Sequence, residues 1–267
     1  MTDAKSRFGR TVRALFLISA SIALADCAVA STPAKEAAEK SAQDVVVREQ
    51  LLPVLRLARA ARDAGDLSSA VNLYRTALNG QPDDAALTVE FADTLQDAGA
   101  FDEAINAYNK ANGKMPRLDG LLGLARVHLA LGQADKALGF AEQARALAPT
   151  ESRVLITRGV ALDMLGRHPE AQGSYRAVLE VQPRSVAARN DLALSLALAG
   201  QYPEALDILT PMAKSTTAPP RVRQNLALVY GLMGNKARAT ELSRVDLDKE
   251  ATEANLRFFD YARSEMP

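Results

Sequence analysis

The sequence predicts an all-α protein, a solenoid of about six helix-turn-helix units closed by a C-terminal capping helix. Three observations lead there. Ala and Leu dominate, aromatic residues make up 5% of the chain and Trp is absent, a balance that favours helix over sheet. One phrase recurs six times, as DAGDLSSAVNLY, DAGAFDEAINAY, ALGQADKALGFA, MLGRHPEAQGSY, LAGQYPEALDIL and LMGNKARATELS. Its glycine falls at Gly65, Gly99, Gly132, Gly166, Gly200 and Gly234, at intervals of 34, 33, 34, 34 and 34 residues, and an alanine follows five residues after each. A period of this length marks stacked supersecondary units that bury their apolar faces only against neighbours.

Residues 1–26 are expected to be a signal peptide of the lipoprotein type. Lys5, Arg7, Arg10 and Arg13 form a positive start, and Ala14 to Ala25 follow without a charge. Twelve residues are too few to span a hydrocarbon core but suit an export signal. Leu24-Ala25-Asp26-Cys27 resembles a bacterial lipobox, with Asp26 standing where Gly, Ala or Ser is usual. That resemblance implies lipid attachment at Cys27, the only cysteine in the chain. With Ala28 after it, the implied location is the outer membrane, facing the periplasm. Cleavage after Ala28-Val29-Ala30 is the competing outcome; it would discard Cys27 and release a soluble periplasmic protein. Residues 27–50 read as a tether with a candidate N-terminal cap in Asp44 to Pro53, since Ala, Ser, Lys and Glu dominate the stretch after Cys27 without apolar periodicity.

Residues 51–248 hold the six units. A small residue in each first helix lets the second helix approach closely: Ala58, Ala92, Ala125, Gly159, Ala193 and Ala227. The recurrent glycine ends that helix in the left-handed conformation. The recurrent alanine (Ala70, Ala104, Ala137, Ala171, Ala205, Ala239) marks the closest crossing, where a larger side chain would force the helices apart. Tyr74, Tyr108 and Tyr175 recur as packing wedges. Pro82, Pro116, Pro149 and Pro183 close second helices, whereas Pro169 and Pro203 fall in first turns, where a missing N–H costs nothing. The unit resembles the tetratricopeptide repeat, which implies a right-handed superhelix lined on its concave face by the first helices.

The fifth unit leaves by a looser turn, Lys214 to Pro220. Residues 249–267 are expected to cap the stack, with Asp248 as N-cap and Leu256, Phe258 and Phe259 as the apolar edge of a terminal helix.

Carried over from the repeat pattern, the concave face begins with Arg56, Arg59 and Arg62, then Glu90, Asp93 and Asp97, then Arg126. Its far half offers Arg153, Asn190, Leu194, Arg221, Asn225 and Leu228, the candidate peptide-binding residues. Asn beside a Leu-Ala-Leu run occurs twice there, in RNDLALSLALAG and RQNLALVYGLMG. The amides could bond a peptide backbone while the leucines bury its anchors; alternatively, Asn190 and Asn225 brace neighbouring helices.

Zero net charge, from 32 basic and 32 acidic residues, offers no field for nucleic acid. One Cys and two His cannot assemble a Cys/His zinc cage. The repeat glycines are explained by the repeat, not by a phosphate loop. No enzyme, metal, cofactor or small-molecule substrate is expected; His128 is assigned local packing, and His168 a turn beside Pro169.

The export signal, lipobox, six units and aromatic tail (NLALVYGLMGN, then RVDLD and NLRFF) together resemble the TadD-type lipoproteins of tight-adherence (Tad, Flp) pilus assembly. The resemblance implies a pilotin-like or chaperone-like scaffold that holds a secretin subunit or another pilus-assembly component at the outer membrane. The rival expectation is an adaptor of another envelope complex, serving outer-membrane protein assembly, peptidoglycan or cytochrome maturation.

Overall fold

A computed structural model describes residues 49, 51–113 and 115–265. The expected signal peptide, Cys27 and, apart from residue 49, the expected tether lie outside the described residues, and of the candidate N-terminal cap only residues 49 and 51–53 are described, the last three inside the first helix. Among the described residues every regular element is a helix.

Six pairs follow in order: α1 (51–63) with α2 (Leu67–Gly80), α3 (Ala85–Asp97) with α4 (Phe101–Asn112), and α5 (Leu118–Ala130) with α6 (Ala134–Leu147). Next come α7 (Ser152–Met164) with α8 (His168–Val181), α9 (Val186–Leu198) with α10 (Tyr202–Ala213), and α11 (Pro220–Leu232) with α12 (Lys236–Ser243). The last helix is α13 (Lys249–Glu265). Consecutive helices pack together. From α3 onward each first helix also touches the next first helix, while successive second helices stand apart. The first helices therefore form the inner, concave wall.

The turn inside each pair is built identically. All six repeat glycines have φ between 70° and 79°, where a Cβ would strain the backbone. The residue after each donates its N–H to the carbonyl five residues back, as in Gln133 to His128 at 2.8 Å and Ala100 to Leu95 at 2.9 Å. This bond satisfies a helix-end carbonyl that would otherwise lack a partner. Side-chain caps start several helices: Asp84 accepts from the N–H groups of Ala86 and Leu87, Ser185 from Ala188, and Asn235 from Arg238.

The alanines at the crossings are fully buried, as are the small first-helix alanines. Gly159 shows why size matters: a Cβ there would lie 2.5 Å from the Tyr175 ring. Tyr74, Tyr108 and Tyr175 are the largest fully buried side chains among the described residues, as packing wedges must be. The wedge reading was incomplete, because each hydroxyl also donates to an acidic side chain: Tyr74 to Glu90, Tyr108 to Asp93 and Tyr175 to Asp163. Burial first, and the Glu90 charge second, push the Tyr74 phenol up to about 12. It therefore stays a neutral donor at physiological pH.

The loosened exit of unit five is present. Pro211 lies inside the last turn of α10, and Arg223 fixes the following loop by donating to the Ala218 carbonyl at 2.7 Å. At the C-terminus Asp248 caps α13 by accepting from the Ala251 N–H at 2.8 Å. Phe259 is buried against Ala227 and Ala239. Phe258 departs from the expected apolar edge: adjacent helical residues point about 100° apart, and with Phe259 facing inward Phe258 is 56% exposed.

Candidate functional site

The inner wall pairs six of the seven charges expected at its front, Arg59, Arg62, Glu90, Asp93, Asp97 and Arg126, while Arg56 is exposed on α1. Arg59 of α1 holds Glu90 of α3 through two bonds of 2.7 and 2.8 Å, and Arg62 reaches Asp97. Asp93 of α3 accepts from Arg126 of α5 at 2.8 Å, and Asp119 of α5 from Arg153 of α7 at 3.0 Å. Asp191 of α9 pairs with Arg221 of α11. Each bridge joins consecutive first helices, at sequence separations of 30 to 35 residues. Opposite charges one repeat apart are the signal that would have predicted these pairs from the sequence.

The Arg59 hydrogen bonds hold the Glu90 carboxyl below the usual carboxylate range. A depressed carboxylate contributes stability above its unfolded pKa, which is lost as pH falls through the folded value. The α1–α3 bridge is therefore intact at neutral pH and weakens in acid. Its side chains are partly exposed (52% for Arg59 and 33% for Glu90), so its contribution is small.

Between α3, α5 and α7 the paired Glu90, Asp93, Asp119, Arg126 and Arg153 line a cavity of about 300 Å³, together with Arg117, which has no ion pair among the described residues. Arg153 also bonds Glu151 at 3.0 Å. It sits here, in the front of the groove, rather than beside the other five candidates.

Those five lie on α9 and α11, where Asn190, Asn225 and Arg221 are joined by side-chain bonds and Leu194 and Leu228 follow about one helical turn further along. The Asn225 amide donates to the Asn190 side-chain oxygen at 3.0 Å, and Asn190 donates to Asp191 at 3.2 Å. Asn190 is 2% exposed. In this structure the two amides brace adjacent first helices, the alternative foreseen for them. Leu194 and Leu228 are half-buried, and Arg221 is exposed at the rim. Leu228 packs against Ala227 and Phe259 in the terminal core cluster.

The sequence reading missed a polar hub at the α7–α9 joint. Asp163 accepts from Ser195 Oγ at 2.6 Å, from His168 Nδ1 at 2.8 Å and from the Tyr175 hydroxyl at 2.9 Å. Ser195 bonds the carboxylate directly and not the imidazole, so the histidine is not placed to take the hydroxyl proton. His128 packs locally, stacked on Phe140 at 5.4 Å with Nδ1 2.9 Å from Gln133. Among the described residues no group of His, Cys, Asp and Glu could hold a metal ion.

A solenoid of helix pairs with an internally neutralised concave wall defines a repeat scaffold. Models of two families, both described as tetratricopeptide repeat, match residues 61–117 and 97–158 in one case and 156–210 in the other. The chain belongs to the tetratricopeptide-repeat proteins. It is 30% identical to human tetratricopeptide repeat protein 7B over 137 residues, an alignment that covers 51% of this chain and 16% of that protein. Among solved structures it resembles one chain of the APC/C hetero-tetramer Cut9–Hcn1, at 18% identity and TM-score 0.67, over 84% of this chain and 47% of that one. It also resembles a tetratricopeptide repeat protein from Parabacteroides merdae, at 19% identity and TM-score 0.54, over 79% of this chain and 99% of that one. At these identities the likeness concerns the fold.

Proposed function

We propose that the protein is a non-catalytic holder of polypeptide segments, tethered through lipid on Cys27 to the periplasmic face of the outer membrane. There it assists assembly or localisation of a Tad/Flp pilus secretin. The observation that carries the holding role is the groove between α9 and α11. The Asn190–Asn225 brace leaves Leu194 and Leu228 half-open beside it, while the front of the wall spends its charges on itself. A partner segment would bury apolar anchors on the leucines, with Arg221 and Arg153 contributing at the rim and front of the groove.

Leu194 belongs to none of the buried core clusters or their flanking residues, which makes it a clean probe. Leu194→Glu is expected to weaken secretin co-purification from solubilised membranes at least about tenfold with unchanged helicity. Undiminished capture by a folded variant would move the site elsewhere, and failure of the parent chain to return any secretin would remove the pilus role. Envelope proteins of another complex in that pull-down would favour the adaptor reading instead.

Anchoring is tested separately. Radiolabelled palmitate should enter the parent chain and not Cys27→Ala. Equal labelling, or a mature N-terminus at Ser31, would establish the soluble periplasmic form.

A further inference from the structure

The loosened exit of unit five lines a second cavity of about 300 Å³, which shares no lining residue with the candidate groove residues Asn190, Leu194, Arg221, Asn225 and Leu228. Its apolar lining comes from Val186 of α9, Pro211 and Met212 of α10, and Pro219 and Val222 at the start of α11, with Ser215 and Thr217 at its edge. Arg189 is the one charged residue in this lining, and it is half-buried. No ion pair to it exists among the described residues, although its neighbours Arg221 and Arg223 are paired with Asp191 and Asp246. The two stretches that build the cavity, RSVAAR (184–189) and PMAKSTTAPPRVR (211–223), carry five basic residues and no acidic one. Two of the five, Arg221 and Arg223, are neutralised by Asp191 and Asp246; Arg184, Arg189 and Lys214 remain without an ion pair among the described residues, a local excess of cation around an apolar slot. The Arg223 bond to Ala218 and a 3.0 Å Ser215–Thr217 hydroxyl contact hold the loop in shape, so a ligand meets a largely formed site.

We propose that this cavity seats an aliphatic side chain of an acidic peptide segment, with a flanking carboxylate on Arg189. The volume accommodates one or two side chains, not a folded element, and the guanidinium supplies a planar donor pair matched to a carboxylate. The site borders the α9–α11 groove without sharing a lining residue with it, and it does not rest on the function proposed for that groove.

The test uses the full chain and two synthetic probes, Ac-Ser-Glu-Leu-Glu-Gly-NH2 and its Gln-for-Glu counterpart, followed by methyl NMR. The acidic peptide is expected to shift Val186, Val222 and Met212 signals, and the neutral peptide to bind at least about tenfold more weakly. Arg189→Glu should lose that preference with unchanged helicity, and Leu194→Glu should keep it. Equal binding of the two peptides, an Arg189→Glu variant that binds as the parent does, or shifts confined to Leu194 and Leu228 would overturn the proposal. So would an absence of shifts up to about 5 mM peptide, which places any affinity above the millimolar range.

Discussion

Gly123→Val is expected to be among the most destabilising single changes in the solenoid, costing about 3 kcal/mol or more. Gly123 lies on α5 and is buried, and an ideal Cβ there falls 2.1 Å from Cε1 of Tyr108. The ring cannot swing aside cheaply. Its hydroxyl is held by Asp93 at 2.6 Å and Gln96 at 3.2 Å, and Asp93 is held in turn by Arg126. The added isopropyl group therefore pushes against a wedge whose hydroxyl is pinned from α3 directly and from α5 through Asp93. Urea unfolding followed by circular dichroism should show a large fall in midpoint. Because repeat arrays lose cooperativity when one interface fails, a broadened or biphasic transition is also expected. In a Tyr108→Leu background the same valine should cost under about 1 kcal/mol, since the space becomes available. Equal costs in both backgrounds would mean that the ring is not what excludes the side chain.

Asp163→Ala should be comparably damaging, at about 3 kcal/mol, for the opposite reason. Nothing is overpacked; instead Ser195 Oγ, the Tyr175 hydroxyl and His168 Nδ1 all lose their acceptor. Burial first, and the Asp163 charge second, raise the Tyr175 phenol far above its ordinary value, so it cannot ionise to escape the loss. Ser195 is fully buried and Tyr175 nearly so, which leaves water little room to replace the carboxylate. Asp163→Asn retains one acceptor oxygen and should lose less. The double variant Asp163→Ala with Ser195→Ala should be less damaging than the sum of the singles, because one orphaned donor is then removed. Strict additivity, or an alanine cost under about 1 kcal/mol, would show that the hub contributes little.

Both sites mark where sequence reading stopped. The period of the phrase, the terminating glycines and the crossing alanines were legible because each does its work within one unit. Only glycine tolerates the left-handed turn cheaply, and only a small side chain fits a close crossing. The wedge tyrosines were legible as packing, since their spacing repeats. Their acidic partners were not, because Glu90 and Asp163 reach them from another helix. The need for glycine at position 123 was hidden for the same cause: the ring that demands it belongs to the preceding unit.

The candidate groove divides similarly. Assigning residues to the inner wall followed from helix order, and the structure joins Asn190, Asn225 and Arg221 across α9 and α11. That the arginines and acids cancel one another, and that Asn225 bonds Asn190, depends on the offset between successive first helices.

The sequence by itself therefore determined the class of fold, the number and polarity of its units and the small residues at their crossings, since these follow from local conformation and a repeating apolar pattern. Tertiary structure decided how the charges one repeat apart meet across neighbouring units, which aromatic of the last helix turns inward, and where an apolar slot opens around Arg189. Those outcomes depend on distances between helices that are far apart in the chain, and a repeating pattern within one unit does not encode them.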